Sequence, residues 1–129
     1  MMSEKTVAQK LLIKPGYKVL FLQAPDDYTA WLGEVPADVK ILNDFTEAPD
    51  LIQLFVDDRK ALEAQLTRIR PVLNQSTILW ATYHKGTSQV KTDINRDTIN
   101  TYAKTLGLVG IAIISVNDDW SALRLKIAR

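Results

Sequence analysis

Apolar and polar positions along the chain follow two periods, and each change of period marks an element. After a polar opening, Lys14-Pro15-Gly16 sets a turn, because proline fixes φ and glycine takes positive φ at little cost. Tyr17-Lys18-Val19-Leu20-Phe21-Leu22 is then nearly unbroken in apolar residues and stops at Ala24-Pro25, which reads as a strand covered on both faces. Tyr28, Trp31 and Leu32 recur at helical spacing, with Asp26-Asp27 placed to cap a short helix and Gly33 and Pro36 placed to end it. Val39-Lys40-Ile41-Leu42 reads as a second strand, Glu47 to Asp50 as a polar connection, and Leu51-Ile52-Gln53-Leu54-Phe55-Val56 as a third, buried strand.

Asp57-Asp58 is a strong helix start, and Ala61, Leu62, Leu66, Ile69 and Leu73 carry the apolar stripe of an amphipathic helix that Pro71 closes. Thr77 to Tyr83 is rich in β-branched and aromatic residues and predicts a strand. The least hydrophobic stretch, His84 to Asp93, predicts a loop. Asn95 is placed to cap a helix whose buried face is Ile99, Tyr102, Ala103 and Leu106, with Gly107 at the left-handed C′ position. Ile111 to Val116 is the most uniformly apolar strand; Asn117-Asp118-Asp119 makes a turn, and Ala122 to Ile127 alternates, with Arg124 and Lys126 on a wetter side.

The order β-α-β-β-α-β-α-β-β predicts an α/β fold: a three-layer α/β/α sandwich around a mostly parallel sheet of about six strands. The last two strands lie too close in sequence for a crossover helix, so the C-terminal strand is expected to be antiparallel. The 129 residues suit a single domain (1–129), with residues 1–10 a short helix or flexible N-terminal arm that docks through Val7, Leu11 and Leu12.

Charge and composition narrow the functional classes. The formal net charge of +1 lacks the footprint of a dedicated nucleic-acid-binding or polybasic membrane protein. Without cysteine there is no disulfide framework and no thiolate metal site. The polar start offers no signal-peptide core and no apolar run is long enough to span a bilayer, so the expected setting is cytoplasmic, with no nucleic-acid and no membrane partner. The expected partner is a protein or a small-molecule ligand, and the expected state is a monomer or homodimer.

The order of elements in the second half resembles that of a class I, Rossmann-like methyltransferase, in a reduced form that lacks the third strand and its flanking helices. Leu12-Ile13-Lys14-Pro15-Gly16, Leu79-Trp80, Lys85, Thr92-Asp93, Leu106-Gly107-Leu108-Val109 and Trp120-Ser121-Ala122-Leu123 further resemble the bacterial domain of unknown function 3052 family, over most of the chain from the Lys14 turn onward. That resemblance implies the reduced methyltransferase-like topology and no particular activity. Active methyltransferases follow the first strand with a glycine-rich turn that lets backbone approach the cofactor. Gln23-Ala24-Pro25-Asp26-Asp27 stands there instead, and Asp44 is the only acid near the end of the second strand, where the ribose hydroxyls would be held. No cofactor is expected on this reading.

Ligands of open α/β sheets bind beyond the carboxyl ends of the parallel strands. The segments leaving those ends supply the candidates for ligand binding: Asp26, Asp57, Lys85, Asp93, Trp120 and Ser121. Each also has a structural explanation, since aspartates cap helices and polar residues belong at strand ends. Lys85 stabilises an anion or pairs with Asp93 across its own loop, the pairing being the simpler account. Lys85-Gly86-Thr87-Ser88 lacks the spacing of a phosphate loop. His84 has no nucleophile motif beside it and reads as the start of a loop. The pairs Asp57-Asp58 and Asp118-Asp119 are explained by capping and turn formation, so no metal is expected. Trp120, in the turn before the last strand, plugs the end of the sheet or offers a stacking surface, and plugging is favoured. No catalytic residue is expected, and a non-catalytic binding role is the first reading. The alternative is a small enzyme or anion-binding domain with its site at the strand-end rim, in which Lys85, Asp93 and Trp120 share a pocket.

Overall fold

The computed structural model describes residues 6–86 and 92–128. It contains β1 (Lys18–Leu22), β2 (Lys40–Leu42), β3 (Leu51–Val56), β4 (Ile78–His84), β5 (Leu108–Ser115) and β6 (Trp120–Ile127). The helices are α1 (Val7–Lys10), α2 (Tyr28–Leu32), α3 (Arg59–Ile69) and α4 (Arg96–Thr105). One six-stranded sheet runs in the order β2-β1-β3-β4-β6-β5. The pairs β1–β2, β1–β3 and β3–β4 are parallel, whereas β6 runs antiparallel to both of its neighbours, β4 and β5. The fold is the expected α/β sheet with an antiparallel C-terminal strand.

Alternation along the central strands sorts side chains into two cores. Leu20, Ile52, Leu54, Leu79, Ala81, Tyr83, Leu123 and Leu125 face α3 and α4. Val19, Leu51, Phe55, Ile78, Trp80, Trp120 and Ala122 face α1 and α2. All residues of β3 and β4 are buried, as strands covered on both faces must be.

Local signals explain most element ends. The Asp58 carboxylate accepts the Ala61 N–H at 2.8 Å to start α3, and Asn95 Oδ1 accepts the Thr98 N–H at 2.9 Å to start α4. Gly107 takes φ 74°, the left-handed conformation that ends α4. Pro71 lies in a 3₁₀ turn, Arg70–Val72, that closes α3. At α1 a reciprocal box joins Thr6 and Gln9, each side chain bonding the other residue's N–H.

Several expectations are corrected. Asp27 occupies the cap position of α2 but its side chain makes no capping bond. Val7 and Leu11 dock as expected, whereas Leu12 adopts φ 71° and is exposed. Residues 1–5 of the expected arm lie outside the described residues, as do Thr87 and Ser88 of the loop after β4. The most uniformly apolar run is strand only as far as Ser115, with buried Val116 just past its end, and that strand is half exposed. It is β5, at the edge of the sheet, because β6 inserts between β4 and β5, and Ile111 and Ile113 are 48% and 47% exposed. Trp120 opens β6 rather than lying in the preceding turn. Arg124 and Lys126 alternate with buried Leu123 and Leu125 but are only half-buried rather than solvated: they share their side of β6 with buried Trp120 and Ala122, and Arg124 Nε is enclosed.

Candidate functional site

The chain leaves β1 outward to β2 and returns across the sheet to β3, so the connections diverge between β1 and β3. Open α/β sheets bind ligands at such a point, beyond the strand ends. Here an aromatic cluster packs at the ends of these strands, on the face that carries α1 and α2. Tyr28 packs edge-on against Phe21, Trp31 and Phe55, at centroid distances of 5.3, 5.5 and 4.6 Å, and Phe55 packs edge-on against Trp120 at 5.2 Å. The Tyr28 hydroxyl donates to Gln53 Oε1, and Gln53 Nε2 donates to Thr82 Oγ1 at 2.9 Å, so the polar atoms within the cluster are satisfied. Beside it, Gln23 turns the chain with φ 59° and Pro25 follows. The Pro25 carbonyl accepts the Tyr28 N–H.

Trp120 closes this end of the sheet, the plugging role expected of it. Its ring stacks on His84, with centroids 3.9 Å apart and planes 28° apart. His84 is not a loop residue but the buried last residue of β4. Its Nε2 lies 2.9 Å from Asp57 Oδ1, whereas Nδ1 is buried without a partner among the described residues. An Asp–His pair suggests a proton relay, but a relay needs its second nitrogen open to a nucleophile or substrate. This one is enclosed, so the pair ties the ends of β3 and β4 together.

The other candidates separate. Asp93 accepts the Arg59 N–H at 2.8 Å and so holds the first turn of α3. Lys85 does not pair with it: its ammonium donates to Ser115 Oγ at 2.6 Å, and its N–H donates to the Asp119 carbonyl at 2.7 Å. Asp26 is exposed in the turn after β1. Asp44 closes a local turn, its carboxylate accepting from the N–H and hydroxyl of Thr46, and those bonds hold it below the usual carboxylate range. Among the described residues no three histidine or acidic side chains converge as metal ligands.

Lys85 and Ser121 do meet, on the sheet face opposite Trp120. With Tyr83, Gly86, Asn95, Arg96, Asp97 and Ile113 they line an open cleft of about 530 Å³. Neither Asp93 nor Trp120 belongs to the described wall of this cleft. Sequence reasoning missed Tyr83, Arg96, Asp97 and Ile113. A signal was present for two of them: Tyr83 shares the parity of Lys85 two residues on, and Arg96 directly follows the cap residue Asn95.

The backbone places the chain among proteins of Rossmann-like methyltransferase fold. A protein of the NADB-Rossmann superfamily from Streptococcus agalactiae superposes with a TM-score of 0.61 at 10% identity, covering 98% of this chain and 70% of the other. The fibrillarin pre-rRNA processing protein of Methanococcus jannaschii superposes with a TM-score of 0.61 at 12% identity, covering 91% and 69%. A SAM-dependent methyltransferase from Aquifex aeolicus superposes with a TM-score of 0.59 at 10% identity, covering 93% and 87%. These likenesses define the fold alone, since one fold hosts many activities. No family model and no curated protein sequence matches the chain.

Proposed function

We propose that this chain is a methyltransferase-fold domain, akin to the bacterial domain of unknown function 3052 family, that works in the cytoplasm by binding rather than by methyl transfer. The observation that supports this most is the packed end of β1 and β3. A nucleotide cofactor needs bare backbone and open space there. Gln23, Ala24 and Pro25 provide side chains and a fixed φ instead, and Phe21, Tyr28 and Phe55 pack edge-on against one another at the ends of β1 and β3. Calorimetric titration with S-adenosylmethionine tests the reading. No binding at micromolar concentration is expected, and a clear micromolar isotherm would overturn it.

A second reading, a ligand-binding or catalytic rim, is favoured by one feature. Lys85 and Ser121, both candidates from the sequence, share a cleft with Arg96. Under either reading the partner is a protein or a small molecule, and the chain acts as a monomer or homodimer.

A further inference from the structure

We propose that the cleft between the end of β4, the start of α4 and the β6–β5 edge binds a small organic phosphate, a phosphomonoester with an apolar body. This deepens the binding reading and rests on it, while using none of the residues of the turn after β1.

Tyr83 is the central observation. Its side chain is 6% exposed and lines the cleft, yet its hydroxyl has no hydrogen-bond partner among the described residues. The hydroxyl oxygen itself is not among the enclosed atoms without a partner, so the ring is buried while the O–H stays accessible to a ligand. Tyr83 lines the cleft, so the cleft is where a ligand would meet that O–H. Burial, ahead of the opposing influence of Arg96, holds this phenol above its ordinary range, so it enters as a neutral O–H donor.

The rest of the wall supplies charge and further donors. Lys85 uses one ammonium proton on Ser115 and keeps two. The Arg96 guanidinium has only a loose, exposed approach of 3.7 Å to Asp97. The Ser121 hydroxyl, like that of Tyr83, has no partner among the described residues. Arg96 and Asp97 open the ten-residue α4, and the Asn95 cap bonds only the Thr98 N–H, so the first two N–H groups of the helix point out of its end. Ile113 and the Tyr83 ring form an apolar wall beside these donors. Two cations, two hydroxyls and a helix start suit a tetrahedral oxyanion, and the volume falls within the range of about 300–1,000 Å³ usual for small-molecule sites. Asp97 is the one acid among the described residues of the wall, and it opposes the anion.

Amide chemical-shift titrations of the full chain at fixed ionic strength, with phenyl phosphate, inorganic phosphate, benzoate and phenol as probes, test the proposal. Phenyl phosphate is expected to shift the amides of Lys85, Arg96, Asp97 and Ser121 and to bind more tightly than the other three probes. Lys85→Met and Arg96→Gln should each weaken it by about tenfold or more, the loss of one charge-assisted bond. Tyr83→Phe should weaken it by about threefold to tenfold, on the scale of a neutral bond. Asp97→Asn should tighten it, and Lys104→Met at the far end of α4 should leave it unchanged. Shifts centred elsewhere, benzoate binding as tightly as phenyl phosphate, or unchanged affinity in folded Lys85→Met and Arg96→Gln would overturn the proposal. S-adenosylmethionine on the same sample separates the two readings: its binding refutes the first alone, and silence from phenyl phosphate refutes the second alone.

Discussion

Replacing Tyr28 with phenylalanine removes a single oxygen from a buried chain that joins α2, β3 and β4. Tyr28 is 2% exposed, and Gln53 and Thr82 are fully buried. The ring contacts to Phe21, Trp31 and Phe55 survive the change, so packing is kept and only the hydrogen bond to Gln53 Oε1 is lost. That oxygen is then left without a partner in a dry interior, at a cost of about 1–3 kcal/mol. With an unfolding entropy of about 2.1 cal/mol/K per residue, the cost lowers the melting midpoint of a chain of this length by about 4–11 °C. Urea denaturation followed by circular dichroism measures the first figure and calorimetry the second. Tyr83→Phe is the control, because it deletes a hydroxyl that is not enclosed and has no partner among the described residues, and it should cost less than about 0.5 kcal/mol.

A pH signature accompanies this loss. Burial raises the Tyr28 phenol well above its ordinary value of 10.0, outweighing the opposite pull of the Gln53 bond. Below 10.0 the folded and unfolded chains both keep the proton, and the contribution of the residue is intact. As pH rises further the unfolded chain ionises first, so stability falls, and Tyr28→Phe should remove that share of the alkaline loss. Equal costs for Tyr28→Phe and Tyr83→Phe, or an unchanged alkaline profile, would refute the reasoning.

Two further substitutions probe the ends of the fold. Trp120→Ala uncovers His84 and Phe55 and should cost about 3–5 kcal/mol in urea denaturation; a loss below about 1 kcal/mol would contradict its role as a plug. Gly33 sits at φ 76° and ψ −163°, a region essentially reserved for glycine, and an added Cβ would lie 2.9 Å from Thr6 Cβ. Gly33→Ala should therefore lower stability by about 1–3 kcal/mol, and an unchanged melting midpoint would rule out both the strain and the contact.

The candidate site shows how far polar residues at strand ends can be interpreted without coordinates. Lys85 and Ser121 stand at strand ends in the sequence, and the structure puts both in one cleft. Asp93 was picked by the same rule and holds the start of α3 instead. The two cases look alike in sequence, because an aspartate beside a helix start and a lysine beside a strand end carry no mark of which neighbour they will meet. The first partner of Lys85 lies on β5 and that of Asp93 on α3, each about thirty residues away along the chain.

Periodicity with cap and turn residues determined the elements and their order, and the short connection before the last strand determined its antiparallel return. These depend on local steric preference and on the face each residue must bury, and both are written in a window of a few residues. Tertiary structure decided which strands are central and which lie at an edge. The runs Leu51 to Val56 and Ile111 to Val116 look equally buried on paper, yet β3 is enclosed while β5 leaves Ile111 and Ile113 half in solvent. It also moved His84 from a loop into the core beneath Trp120 and joined Tyr83 to Arg96 across a cleft. Burial depends on what packs from elsewhere in the chain, and here the insertion of β6 between β4 and β5 set it, through long-range pairing that no local pattern records.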